Sequence, residues 1–244
     1  MKSLAAAISF LTRLPIGRLV SFDASDVARS AAWFPLVGCL LGAIGAGAAY
    51  LLRGHLPSLL VAAILVALEA VLTGALHFDG LADTADGFGG GKDRDDVLRI
   101  MRDHAIGSYG GTALVLLVAF KVAAYSALLG LEQWTPAIVL TPAVGRWSIL
   151  LLTATLPYAR QTASVVRNIE KSALLWGTAT VAIVLAASQL WRSGAAAGAA
   201  VVVSACFGLY CRRRMGGITG DTLGANLQLC ECAALLAFLW TGAA

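Results

Sequence analysis

Asp79, Asp83 and Asp86 stand four and then three residues apart in the run LHFDGLADTADG, residues 76–87. In a helix that spacing puts all three carboxylates on one face, within about a 60° arc. Like charges held so close repel, and a hard divalent cation with oxygen ligands relieves them, Mg²⁺ above all where phosphates complete its shell. A loop that is merely solvated has no need of the regular spacing, nor of Gly80 and Gly87 beside the acids.

Downstream, Gly89, Gly90 and Gly91 read as a flexible connector, and Asp93 to Asp103 as a short amphipathic helix whose apolar side is Val97, Leu98, Ile100 and Met101. Asp93 caps that helix, Asp95 and Asp96 suit its positive end, and Arg99, Arg102 and Asp103 at its far end are expected to aim back toward the membrane. Gly107, Gly110 and Gly111 around Tyr109 mark a tight re-entry where backbone can approach a phosphate.

A second constellation follows Arg212, Arg213 and Arg214. There Gly216, Gly217 and Gly220 precede Asp221 and Thr222, a glycine-rich turn with a carboxylate and a hydroxyl that suits an anion and Mg²⁺. Two acidic, glycine-rich stretches on one side of one membrane make phosphoryl transfer the leading chemistry. Three ionisable residues, Glu69, Lys121 and Arg146, fall inside apolar runs at similar depth, where they either lock helices together or line a substrate path. His77 and His104 flank the aspartates, but an Asp can serve equally as general base.

These residues sit in a chain of 244 that is 59% hydrophobic and 13% charged, against roughly 25% charged for a typical globular protein. The class is an all-α, polytopic integral membrane bundle. Apolar runs near 31–52, 57–78, 109–130, 135–157, 173–191, 194–211 and 227–243 predict about seven transmembrane helices in one domain covering residues 1–244, with catalytic loops near 79–108, 158–172 and 212–226. The N-terminal run, interrupted by Arg13, reads as a retained interfacial segment. Of the 18 basic residues, 14 fall in segments on the side of the N-terminus, and only Arg53 and Arg192 in those opposite. That bias predicts a cytoplasmic N-terminus and a site that opens to the cytoplasm. The net charge of +4 is dispersed, so no nucleic-acid partner is expected. Cys39, Cys206, Cys211, Cys230 and Cys232 lack C-x-x-C spacing and read as small core residues.

LTGALHFDGLADTADG (72–87), RIMRDHAIGSYGG (99–111) and GGITGDTLGA (216–225) closely resemble the cobalamin synthase family, the adenosylcobinamide-GDP ribazoletransferases. FLTRLPIG (10–17), FPLVGCLLG (34–42) and GRW (145–147) fit the same pattern, so the resemblance spans nearly the whole chain. It implies an Mg²⁺-dependent inner-membrane enzyme that joins adenosylcobinamide-GDP to α-ribazole or its 5′-phosphate and releases GMP. The matching positions are Asp79, Asp83, Asp86, Asp103, Asp221 and Glu231, and Arg160 also fits. Two departures stand out. His104 replaces the usual Ser, which makes it a poor candidate for an indispensable base, and residues 161–164 replace a glycine pair.

The expected assignment follows. Asp79, Asp83, Asp86 and Asp221 hold metal and pyrophosphate, and Asp83, Asp86 or Asp103 takes the acceptor's proton. Arg99, Arg102 and Arg212 to Arg214, with Gly216, Gly217 and Gly220, meet phosphate. One rival is a CDP-alcohol-type phosphotransferase, whose D-G-x-x-A-R pattern fails here because Asp83 follows Ala82. Another is a secondary transporter, which the absence of an internal repeat disfavours.

Overall fold

An apolar run inside a bilayer must satisfy its backbone hydrogen bonds within itself, and helices are how this chain does so. The computed structural model describes residues 2–18, 24–103, 105–160, 169, 172–188 and 191–240. Its helices, in order, are α1 (Lys2–Leu11), α2 (Ala24–Arg29), α3 (Phe34–Leu52), α4 (Ser58–Thr73), α5 (Leu76–Gly90), α6 (Arg94–Ile100), α7 (Ser108–Leu128), α8 (Trp134–Thr155), α9 (Ser172–Ser188), α10 (Trp191–Met215) and α11 (Gly220–Leu239).

Among the described residues, five segments are long and apolar enough to cross a membrane: Asp26–Leu52, which contains α3, together with α7, α8, α10 and α11. The expected seven are therefore not reached by length and composition. The apolar run at 57–78 breaks, because Gly74 and Ala75 both take left-handed backbone (φ 62° and 57°) and turn α5 by 91° from α4. Counting α4 and α5 as one broken span gives six. α9 has 17 residues and falls just short. Of the expected catalytic loops, most of 79–108 is helical, as the aspartate spacing and the Asp93–Asp103 reading predict, most of 212–226 is helical too, and 161–168 and 170–171 lie outside the described residues.

α8 and α11 form the axis of the bundle. Their most apolar stretches are 78% and 67% buried, against 28% for α7 and α10. Gly38 and Gly42, four apart on α3, let that helix press against α8: a Cβ on Gly38 would strike the Pro142 carbonyl, and one on Gly42 would lie 2.6 Å from Val139 Cα. On the outer helices Tyr50, Val115, Leu175 and Ile183 are largely exposed, an apolar surface that suits lipid.

Midway along the bundle the buried charges meet. Lys121 Nζ donates to both Glu69 carboxylate oxygens at 2.8 Å, to Gln228 at 2.7 Å and to Glu231 at 2.5 Å. Arg146 pairs with the other oxygen of Glu231. Two acids answer two bases, joining α4, α7, α8 and α11, and that closure favours the helix-locking role over a substrate path.

A candidate phosphoryl-transfer site at one end of the bundle

Burial deepens along the acidic face of α5: Asp79 is exposed, Asp83 half-buried and Asp86 buried. The first two meet α11 because glycine stands where the helices touch. A Cβ on Gly80 would lie 2.8 Å from the Asp221 carbonyl oxygen, and one on Gly224 would lie 3.3 Å from His77 Cα. Backbone-to-backbone approach thus brings the α5 carboxylates to Asp221.

Asp221 is placed by the start of its own helix. Thr219 is the N-cap, its hydroxyl accepting from Thr222 N while the Thr222 hydroxyl accepts from Thr219 N, and Asp221 occupies the first turn, where the helix end favours negative charge. Arg160 donates to Asp221 Oδ2 at 2.8 Å. Arg160 reaches it because the chain after α8 pairs with the turn before α11: Ala159 N donates to Ile218 O, and Ile218 N to Pro157 O. Arg94 staples the same junction, donating to Met215 O at 3.0 Å and to Ala159 O at 2.9 Å. Sequence reading missed Arg94, whose partners are backbone carbonyls 65 and 121 residues away.

The electrostatic result falls on Asp83. Burial pushes its carboxyl up to about 6, and the negative charges of Asp79, Asp221 and Asp86 add to the effect, with Arg160 opposing them.

Asp86 has a job that its spacing did not reveal. Its oxygens accept from Gly107 N at 2.7 Å and Gly110 N at 2.8 Å, so it caps α7 from another helix. The expected phosphate approach at Gly107 and Gly110 is thereby corrected. Those N–H groups face Asp86, and a Cβ at either glycine would run into its carboxylate.

The arginines divide. Arg99 pairs with Asp96 on the exposed side of α6 instead of aiming at the carboxylates. Arg214 donates to Phe88 O at 2.9 Å and Gly91 O at 2.8 Å, bracing the end of α5. Arg102, Arg212 and Arg213 are exposed.

Of the three glycines expected to meet phosphate, Gly216 takes φ 80°, Gly217 packs against the Pro157 carbonyl, and Gly220 has open space around it. The α6 expectation holds: Asp93 accepts from Asp95 N and Asp96 N, and Val97, Leu98 and Met101 are buried. Asp103 is exposed and accepts from Ala105 N. His104 lies outside the described residues.

Among the described residues no group of three or more His, Cys, Asp or Glu side chains is placed to hold a metal ion. The donors at hand are nonetheless all carboxylate oxygens that crowd one another, the chemistry of a hard cation whose shell substrate phosphates and water complete.

A family model described as cobalamin-5-phosphate synthase matches residues 3–239. The chain is 40% identical over 237 residues to the adenosylcobinamide-GDP ribazoletransferase of Syntrophobacter fumaroxidans, covering 95% of each. To the protein of that name from Rhizobium etli it is 41% identical over 249 aligned positions, covering 96% of this chain and 94% of the relative. To the Klebsiella pneumoniae one it is 40% identical over 246, covering 98% and 100%. No solved structure matches.

Proposed function

This chain belongs to the cobalamin-5-phosphate synthase family, and from that premise we propose that it joins adenosylcobinamide-GDP to α-ribazole, or to its 5′-phosphate, with release of GMP. The product is adenosylcobalamin or its 5′-phosphate. A ribose hydroxyl oxygen of the acceptor attacks the corrinoid-side phosphorus of the pyrophosphate, the bond from that phosphorus to the bridging oxygen breaks, and GMP leaves with the electron pair.

The observation that carries the assignment of residues is the approach of Asp221 to α5 across Gly80, which sets it beside Asp79 and Asp83, with Arg160 on Asp221. Asp83 takes the proton of the attacking hydroxyl, a carboxylate poised near neutrality being the better base. Asp79 and Asp221, lining the pyrophosphate end, would hold a divalent cation there. Bound Mg²⁺ would supply charge neutralisation on the phosphate oxygens. Arg102, Arg212 and Arg213, exposed at this end, meet the leaving phosphate. Asp86 acts as a positioning residue through α7. The site lies on the cytoplasmic face of the inner membrane, a reading that rests on the crowding of basic residues at its end of the chain.

The test uses purified Asp83→Asn with unchanged helical content. GMP release from adenosylcobinamide-GDP and α-ribazole is expected to fall about 10²- to 10⁴-fold. Turnover and Mg²⁺ dependence at the wild-type level would sink the assignment.

A further inference from the structure

Behind the carboxylates lies a cavity of about 150 Å³. Its walls are apolar: Phe10 of α1, Phe34 of α3, Ile149 of α8 and Leu223 of α11. The two phenylalanines stack with ring centroids 5.9 Å apart and 16° between their planes. Asp79 and Asp221 line the same space, so a ligand seated there has one part among apolar side chains and another beside the site's carboxylates. His77 also lines it. This side chain is 3% exposed, and its Nδ1 is buried with no hydrogen-bond partner among the described residues. A buried polar atom left unpartnered costs stability unless something else engages it.

We propose that this cavity receives the benzimidazole base of α-ribazole and that His77 reads the base's unsubstituted ring nitrogen. The inference rests on the ribazoletransferase reading above. Elimination among the pieces of the two substrates leads to it. A corrin ring is far too large for this volume. Guanine carries donors and acceptors around its edge that these walls would leave unpaired, at a cost for each. A lipid chain suits the walls, but its anionic headgroup would sit against Asp79 and Asp221. A benzimidazole is flat, bicyclic and apolar, with one free ring nitrogen. Seated among Phe10, Phe34 and Ile149, it leaves its ribose to extend toward Asp79 and Asp221, where a hydroxyl must be delivered. His77 is thus a specificity residue for the acceptor, and the proton transfer stays with the carboxylates.

The experiment uses the full-length protein in lipid nanodiscs and reads two quantities: equilibrium binding of labelled α-ribazole without donor, and the KM of each substrate in GMP release. Leu76→Trp fills the cavity from a position that is 45% exposed. Expected are a loss of α-ribazole affinity and a rise in acceptor KM, each about tenfold or more, with the donor KM unchanged. His77→Gln should raise the acceptor KM more for α-ribazole than for an analogue with carbon in place of the free ring nitrogen. It carries the test if Leu76→Trp does not fold. Wild-type acceptor affinity and KM in both variants, or a wild type that does not bind α-ribazole, would overturn the cavity assignment. Binding that Leu76→Trp abolishes, in a wild type that releases no GMP, would sustain the cavity and defeat the transferase reading instead.

Discussion

Asp83 is the residue at which the charges of α5 and α11 accumulate, and its titration should be visible in the reaction. Its folded-state carboxyl lies at about 6, raised from an ordinary value near 3.8. For a carboxyl shifted upward, the folded state holds the extra proton between those two values, so this group's contribution to stability falls as pH rises across that window. The ionised form, which the proposed role as proton acceptor requires, dominates only above it. We therefore expect kcat/KM to fall on the acid side with a midpoint near pH 6. Raising Mg²⁺ should move that midpoint to lower pH, because a cation held by Asp79 and Asp221 would offset the negative charges that push the neighbouring Asp83 carboxyl up. A profile measured at two Mg²⁺ concentrations checks this, and an acid limb near pH 4 that ignores Mg²⁺ contradicts it. The four-and-three spacing of Asp79, Asp83 and Asp86 announced a shared face before any coordinates. It could not announce that Asp86 is taken up by Gly107 N and Gly110 N, since backbone donors leave no mark in residue type.

Helices carry the second level of organisation, and their legibility was uneven. The apolar runs of α3, α7 and α8 are plain in the sequence. The break between α4 and α5 was not, because Ala75 and Leu76 continue the apolar run while the backbone at Gly74 and Ala75 turns it aside. Gly74 is held there by Arg13, whose backbone N donates to Leu72 O at 2.7 Å. Depth counting put Glu69, Lys121 and Arg146 at one level, and they do meet. What it missed was that α11 completes the cluster through Gln228 and Glu231. The energetic consequence can be measured. Glu231→Gln leaves Arg146 without its carboxylate in a buried setting and should cost about 3–5 kcal/mol of stability. Lys121→Met combined with Glu69→Gln removes one charge of each sign and should cost less than the sum of the two single changes. Denaturation in detergent of the singles and the double measures the coupling, and strict additivity would show that the charges do not act together.

At the scale of the molecule, the two ends of the bundle differ in kind. Arg53, stacked over Trp134, and Arg192 beside the end of α11 mark one end. Asp79, Asp221, Arg160 and Arg212 to Arg214 gather at the other. With the acidic end in the cytoplasm, a phosphatase reporter fused after Trp240 should be active outside the cytoplasmic membrane, and the same reporter fused at the N-terminus inactive. The reverse pattern would invert the topology. Length and apolarity made the membrane class legible at once, whereas the pairing of α5 with α11, on which the site depends, is a contact between segments some 140 residues apart that no local pattern encodes. The mid-bundle cluster has one more consequence. Its two positive and two negative side chains sum to zero, so the potential across a living membrane, worth about 2.3 kcal/mol per elementary charge per 100 mV, finds no net charge there to pull on. A cell can energise or discharge its membrane without this scaffold feeling a net force at its centre.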